Sequence, residues 1–294
     1  MSCSDCFSGH IHPDTPTGKS DTIHGVPTYI ASPGEGVEPK GLVVIVSDAF
    51  GWDFVNTRLL ADWYAAKGGF LVYLPDFMRG HALKPASMEA TKKIKAPANW
   101  FTTIVYKPIW LVQSMITLLP WVLHTCAGVT TPIITTFLTA IRTSAPPFAT
   151  DNLKIGVAGF CWGGRHAFLL SANDPKTHVV RYGSHPSAAK QPLIECAFTA
   201  HPSMLKLPSE VENAQLPISM CVGDVDMMLT REQILKIKDM LEVKNKKKGD
   251  HEVVIIPGAK HGFAVRMDPE DAFMVECSVK AEEQAIKWFT KWLA

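Results

Sequence analysis

The chain has 294 residues, with 29 lysines and arginines against 28 aspartates and glutamates, for a formal net charge of +1. This balance excludes the basic footprint of a nucleic-acid binder, and the length suits one large α/β domain better than two independent ones. Seven cysteines, an odd number scattered through apolar segments, read as free thiols of a reducing compartment and exclude a paired disulfide framework.

Residues 1–24 are polar and turn-rich and are expected to form an irregular arm. Met1-Ser2-Cys3-Ser4-Asp5-Cys6 offers no apolar run of the signal-peptide kind, so a cytoplasmic location is expected. Cys3, Cys6, His10 and His12 have the residue types of a zinc site, but a flexible arm is the simpler reading and no metal is expected. Leu42 to Val46 is an uninterrupted apolar run, as in a parallel strand buried on both faces. A helix is expected from about Phe54 to Ala66, with Val55, Leu59, Leu60, Trp63 and Tyr64 on one broad face. Gly68-Gly69 ends it, and Phe70 to Leu74 is the next expected strand.

Residues 97–147 break this strand–helix rhythm. Residues 108–141 contain no Asp, Glu, Lys or Arg. Pro108, Pro120 and Pro132 punctuate the stretch and imply two or three short helices in place of one rod. Three readings are open: extra core or a homodimer interface, an apolar lid over a greasy substrate, and contact with a membrane surface through 108–141. The uncharged run exceeds the roughly 20 residues that cross a bilayer. Pro120 and His124 in mid-span, and a domain divided around the segment, argue against a true crossing.

The apolar run Leu153 to Ala158 leads into Gly159-Phe160-Cys161-Trp162-Gly163-Gly164. This is the pattern of a nucleophile elbow, with cysteine where serine is usual. Such a turn lifts Cys161 to the top of a sheet at a helix N-terminus, where the dipole favours thiolate. A structural cysteine beside close-packed glycines is the plainer alternative. An elbow nucleophile needs an acid and then a histidine further along the chain. A strand expected over Pro217 to Val222 ends in Gly223-Asp224-Val225-Asp226, and one over Glu252 to Ile256 leads to His261-Gly262-Phe263. Both candidates lie past the carboxyl ends of strands, where open α/β sheets place their sites. Asp226, further into its loop, is the expected partner of His261, and Asp224 the brace of the turn. Glu195 to Ala200 reads as a further strand, followed by His201-Pro202-Ser203, which echoes His185-Pro186-Ser187. These are read as turns near a pocket rim, with His201 a candidate substrate contact. Lys244 to Lys248 reads as a solvated helix end, and a final helix is expected from about Glu270 to Trp292. The order supports an α/β class with a doubly wound, mostly parallel sheet.

Taken together these residues resemble the dienelactone hydrolase family of the α/β-hydrolase fold, in its fungal-type branch. The landmarks are Gly25 to Ala31, Ser47-Asp48-Ala49-Phe50-Gly51-Trp52, Leu74-Pro75-Asp76-Phe77-Met78-Arg79-Gly80, the Cys161 elbow, Asp226 and His261-Gly262-Phe263. The match covers about 28–95 and 150–294. It implies an oxyanion hole from the N–H groups of Trp162 and Ala49. Asp48 stands where bacterial members carry a glutamate that contacts the resting thiol. One methylene shorter, it either reaches the thiol or holds the loop that presents Ala49. Arg79 and Arg266 fall at or near positions that bind a substrate carboxylate, Arg266 one residue further from the histidine than in the bacterial pattern. The expected activity is hydrolysis of an ester, lactone or thioester by Cys161, His261 and Asp226, without a cofactor. The expected partner is an apolar small molecule, or an acyl-carrier domain if the enzyme releases a polyketide or other acyl thioester. An isomerase or cyclase, or a binding protein without turnover, are the readings from other classes.

Overall fold

The computed structural model describes residues 9–245 and 250–294. Eight strands form one sheet: β1 Lys19–Ile23, β2 Val26–Ala31, β3 Leu42–Val46, β4 Leu71–Pro75, β5 Ile155–Phe160, β6 Cys196–Ala200, β7 Ile218–Gly223 and β8 His251–Ile256. Their order is β1-β2-β4-β3-β5-β6-β7-β8. The β1–β2 and β2–β4 pairs are antiparallel and every other pair is parallel. The helices are α1 Val55–Gly68, α2 Ala86–Lys95, α3 Lys107–Thr125, α4 Ala127–Thr143, α5 Trp162–Ser171, α6 Ser209–Glu212, α7 Arg231–Val243 and α8 Ala272–Leu293.

Every residue of β3, β4, β5, β6 and β7 is buried, which requires cover on both faces of the sheet. Two glycines of β5 show what supplies it. A Cβ on Gly156 would lie 2.6 Å from the Phe289 ring of α8, and one on Gly159 would lie 2.3 Å from the Gly163 carbonyl oxygen of α5. Three residues apart on one strand, the two point to opposite faces, so α8 and α5 cover the two sides of a doubly wound sheet. Helix α1 packs on α8, with Tyr64 edge-on to Phe289 at 6.3 Å.

The N-terminal segment departs from the expected irregular arm. Residues 19–23 form β1, which extends the sheet through a hairpin whose turn places His24 and Gly25 at positive φ. Its side chains are mostly exposed, so no apolar alternation marks it as a strand.

The insertion also differs in detail. Helix α2 stands before it, a π-helical turn spans Thr102–Tyr106, and Pro120 and Pro132 lie inside α3 and α4 without breaking either. Pro120 is exposed, so water can satisfy the carbonyl it leaves unpaired. The break falls at Cys126, whose extended backbone turns the two helices by 50°. No single helix among the described residues is long and apolar enough to cross a membrane. Helix α4 is anchored at its end by Arg142. Its buried guanidinium donates to the Leu193 and Leu153 carbonyls and pairs with Glu195 at 2.6 Å.

Candidate active site

Strand β5 ends in an unusual residue. Cys161 has φ 50° and ψ −108°, a conformation that costs a non-glycine residue of order 1–3 kcal/mol. Its surroundings hold it there. The N–H of Cys161 donates to the Ala200 carbonyl at 3.3 Å, while the N–H groups of Ser203 and Gly164 donate to its own carbonyl at 2.9 and 3.1 Å. Gly163 donates to the Ser47 carbonyl at 3.1 Å, and a Cβ there would fall 2.0 Å from the Val46 oxygen. The elbow is thereby stapled to the loop that follows β3, and only glycine permits that approach.

Asp226 follows β7 and His261 follows β8. The His261 Nδ1–H donates to both carboxylate oxygens, at 2.9 and 3.0 Å, with both side chains fully enclosed. Asp226 also accepts the Met228 N–H at 2.7 Å, which fixes its rotamer. The other side of the ring, Nε2, is buried and makes no hydrogen bond among the described residues, and it lies within reach of the charge of Cys161. Burial alone would strip the proton from His261. The negative charge of Cys161 and the hydrogen bond to Asp226 outweigh it and raise the imidazole to about 10. Asp224 accepts the Gly258 N–H at 2.7 Å and faces Arg231 at 3.3 Å, bracing the β7 and β8 loops against each other.

The loop Ser47–Gly51 turns around Asp48, whose Oδ1 accepts the Phe50 N–H at 3.0 Å. The same loop meets the elbow at the Ser47 carbonyl, two residues before Ala49. Among the described residues neither the Ala49 nor the Trp162 N–H donates a hydrogen bond. Asp48 is completely buried, and burial raises its carboxyl, opposed by the Arg266 guanidinium and reinforced by the charge of Cys161. Arg266 is also buried, pairs with Asp48 and lies over the Phe50 ring at 5.3 Å. The expectation that Arg266 holds a substrate carboxylate is therefore corrected: its charge already has a carboxylate inside the protein.

Arg79 lies elsewhere. It is exposed, at φ 53°, on the rim of a cavity of about 660 Å³ shared with His24, Asp76, Ile133 and Phe137. None of Cys161, Asp226 and His261 lines that cavity. His201 is not at a rim either. It is fully buried, 5.0 Å from the His261 ring and 5.5 Å from Phe263, with neither ring nitrogen hydrogen-bonded. Burial, then the neighbouring His261 and Arg266, hold its pKa well below the usual histidine range, so it stays neutral and acts as a wall behind His261. His185 is exposed and, among the described residues, bonds within its own turn, to Ser187 at 2.7 Å.

Reading the sequence missed Ser203 as a site residue. Its buried hydroxyl lies 3.7 Å from the Cys161 sulfur. The signal was present, because His201-Pro202-Ser203 directly follows the strand beside β5. The zinc-type cluster of the arm includes Cys3 and Cys6, which lie outside the described residues. His10 faces Asp268 at 3.1 Å, and His12 packs edge-on against Trp63 at 5.8 Å.

Four relationships accompany this geometry. The family model described as dienelactone hydrolase family matches residues 124–294. Dienlactone hydrolase 1 of Gibberella moniliformis is 26% identical over 291 residues, covering 98% of this chain and 91% of that one. The hydrolase pyvD of Aspergillus violaceofuscus is 23% identical over 288 residues, covering 98% and 96%. Among solved structures, the dienelactone hydrolase of Anabaena variabilis superposes with a TM-score of 0.51 at 18% identity, covering 96% of this chain and all of that one, 100%. That last likeness speaks for the mostly parallel α/β-hydrolase fold.

Proposed function

The chain belongs to the dienelactone hydrolase family and is a hydrolase of ester or lactone bonds, and from this premise we propose that Cys161 is its nucleophile, with His261 and Asp226 completing a Cys-His-Asp triad. The observation that carries the proposal is the meeting of the strained elbow cysteine with a buried imidazole whose far nitrogen is clamped by Asp226. The raised imidazole favours a resting thiolate–imidazolium pair. The thiolate sulfur attacks the substrate carbonyl, and the Ala49 and Trp162 N–H groups receive the developing oxyanion. His261 gives its proton to the leaving alkoxide, and a thioester with Cys161 remains. His261 then takes a proton from water, the hydroxide adds to that thioester, and the acid departs as thiolate is restored. Asp226 orients the ring throughout. Asp48 with Arg266 holds the loop that presents Ala49.

The substrate we infer is apolar. The Trp162 indole donates to the Thr125 carbonyl at the end of α3, so the oxyanion-hole residue is tied directly to the insertion. A cavity of about 100 Å³ beside it is lined by Trp121, Val122, Thr125, Trp162 and Met204 among others, with the polar Arg165 and His166 in its wall and without a triad residue in its lining. The tie from Trp162 to α3, and the apolar character of α3 and α4, support an aliphatic or aromatic acyl group and a lid role for the two helices. Release of a polyketide or similar acyl chain from a thioester is the alternative that the same surface favours, since a thiolate exchanges readily with thioesters.

The deciding experiment is kcat/KM over a chain-length series of matched oxygen esters and thioesters. Cys161→Ala serves as the blank and is expected to lose about 10⁴-fold in turnover. Mass spectrometry of His261→Ala mixed with substrate checks for the acyl group on Cys161. Near-normal turnover by Cys161→Ala would sink the triad. A steep rise with chain length, greatest for thioesters, selects the acyl-releasing reading, whereas a preference for short substrates removes the apolar lid.

A further inference from the structure

We propose that α3 docks in the plane of an anionic lipid bilayer, so that this hydrolase works at a membrane surface. The proposal stands apart from the catalytic reading and rests on the surface of the insertion. At 100° per residue, Ile109, Leu111, Val112, Met115, Ile116 and Leu119 fall in one sector of about 160° on α3. Each is between 47% and 67% exposed. Trp121 and Thr125 turn the other way and are buried against the domain. An uninterrupted apolar strip along a helix about 28 Å long is more than an isolated monomer ordinarily leaves to water.

Two further observations say what covers it. At the start of α3, Trp100, Phe101, Tyr106 and Trp110 form a chain of ring contacts, 5.8, 5.8 and 6.0 Å between successive centroids. Trp100 is 75% exposed. Amphipathic rings of this kind settle at the level of lipid headgroups. The second is charge. Between Glu89 and Asp151 the sequence has no acidic residue, while Lys92, Lys93, Lys95 and Lys107 cluster just before or at the start of α3. The chain as a whole is balanced, so this positive, acid-free apolar segment is a local feature that complements anionic headgroups. Helix α3 lies on the bilayer and does not span it, because α4 turns away by 50° and buries Ile134, Phe137, Leu138 and Ile141 in the domain.

The test is flotation of the full chain with vesicles of phosphatidylcholine alone and of phosphatidylcholine with phosphatidylserine, at low and high salt. Binding is expected to the anionic vesicles and to weaken with salt. Met115→Glu with Leu119→Glu is expected to weaken it roughly tenfold or more, and Lys93→Glu with Lys107→Glu to remove its preference for anionic lipid. Circular dichroism and turnover of a short water-soluble ester check that both variants remain folded. No flotation with the anionic vesicles, or flotation that the Met115/Leu119 variant leaves unchanged, overturns the proposal. So does a concentration-dependent dimer abolished by that variant in a protein that binds neither vesicle, which would assign the face to a second copy.

Discussion

His261 binds its proton more tightly in the fold than an exposed histidine does, at about 10 against 6.5. A raised pKa favours the folded state wherever the proton is on in the fold, so this contribution is whole below about pH 6.5 and declines as pH rises from there through about 10. Urea midpoints measured across that range are expected to fall with rising pH in the wild type and to fall less in His261→Ala. Asp226→Asn removes a carboxylate that helps hold the proton, so the alkaline limb of kcat/KM is expected to move toward neutrality. An unmoved limb would show that Asp226 does not set it. Cys161, Asp226 and His261 were legible because each follows an apolar strand and the three come in a fixed chain order. The Asp48–Arg266 pair was not, because two residues 218 positions apart meet only after two loops have been shaped. Nor was the neutral state of His201, since burial is a property of the packed molecule and leaves no trace in a His-Pro-Ser tripeptide.

At the level of elements, Arg142 joins the end of α4 to the segments entering β5 and β6. It gives hydrogen bonds to two carbonyls and an ion pair to Glu195, which Arg181 also holds at 2.5 Å. Glu195 keeps Arg181 when Arg142 is removed, but the Leu153 and Leu193 carbonyls lose their donor, at about 1–3 kcal/mol for a buried group left unpaired. Arg142→Ala is therefore expected to lower the urea midpoint markedly. A change within about 0.5 kcal/mol, the usual range for surface sites, would show that the anchor carries no stability. The sequence disclosed β3, β6 and β7 to within a residue, because strands buried on both faces are largely continuous apolar runs. It concealed β1, whose exposed Lys-Ser-Asp-Thr carries no alternation and is a strand only because β2 offers it an edge. It also suggested helix breaks at the prolines, whereas the tertiary frame tolerates Pro120 and Pro132 and bends the chain at Cys126.

For the molecule as a whole, the division of labour follows the sheet. Its carboxyl edge carries the elbow, the acid and the histidine, while the long excursion between β4 and β5 carries the apolar surface and has no share in the sheet. That excursion has a consequence for how the protein comes to exist at all. The centre of the sheet is the β3–β5 pair, in which Leu42 lies opposite Ile155 and Val46 opposite Gly159. Until β5 arrives, one side of β3 is an open hydrogen-bonding edge, and α3 shows its greasy strip at the same time. Parallel pairing across so long a loop is slow, and unpaired edges with apolar surface stick to one another. Refolding by dilution from urea is accordingly expected to be slow, with a yield that drops as protein concentration rises. Recovered activity measured against concentration will show it; a yield independent of concentration would mean that the edge is shielded early. The ribosome imposes the same order, so a nascent chain halted before residue 155 is the state in which a chaperone has most to protect.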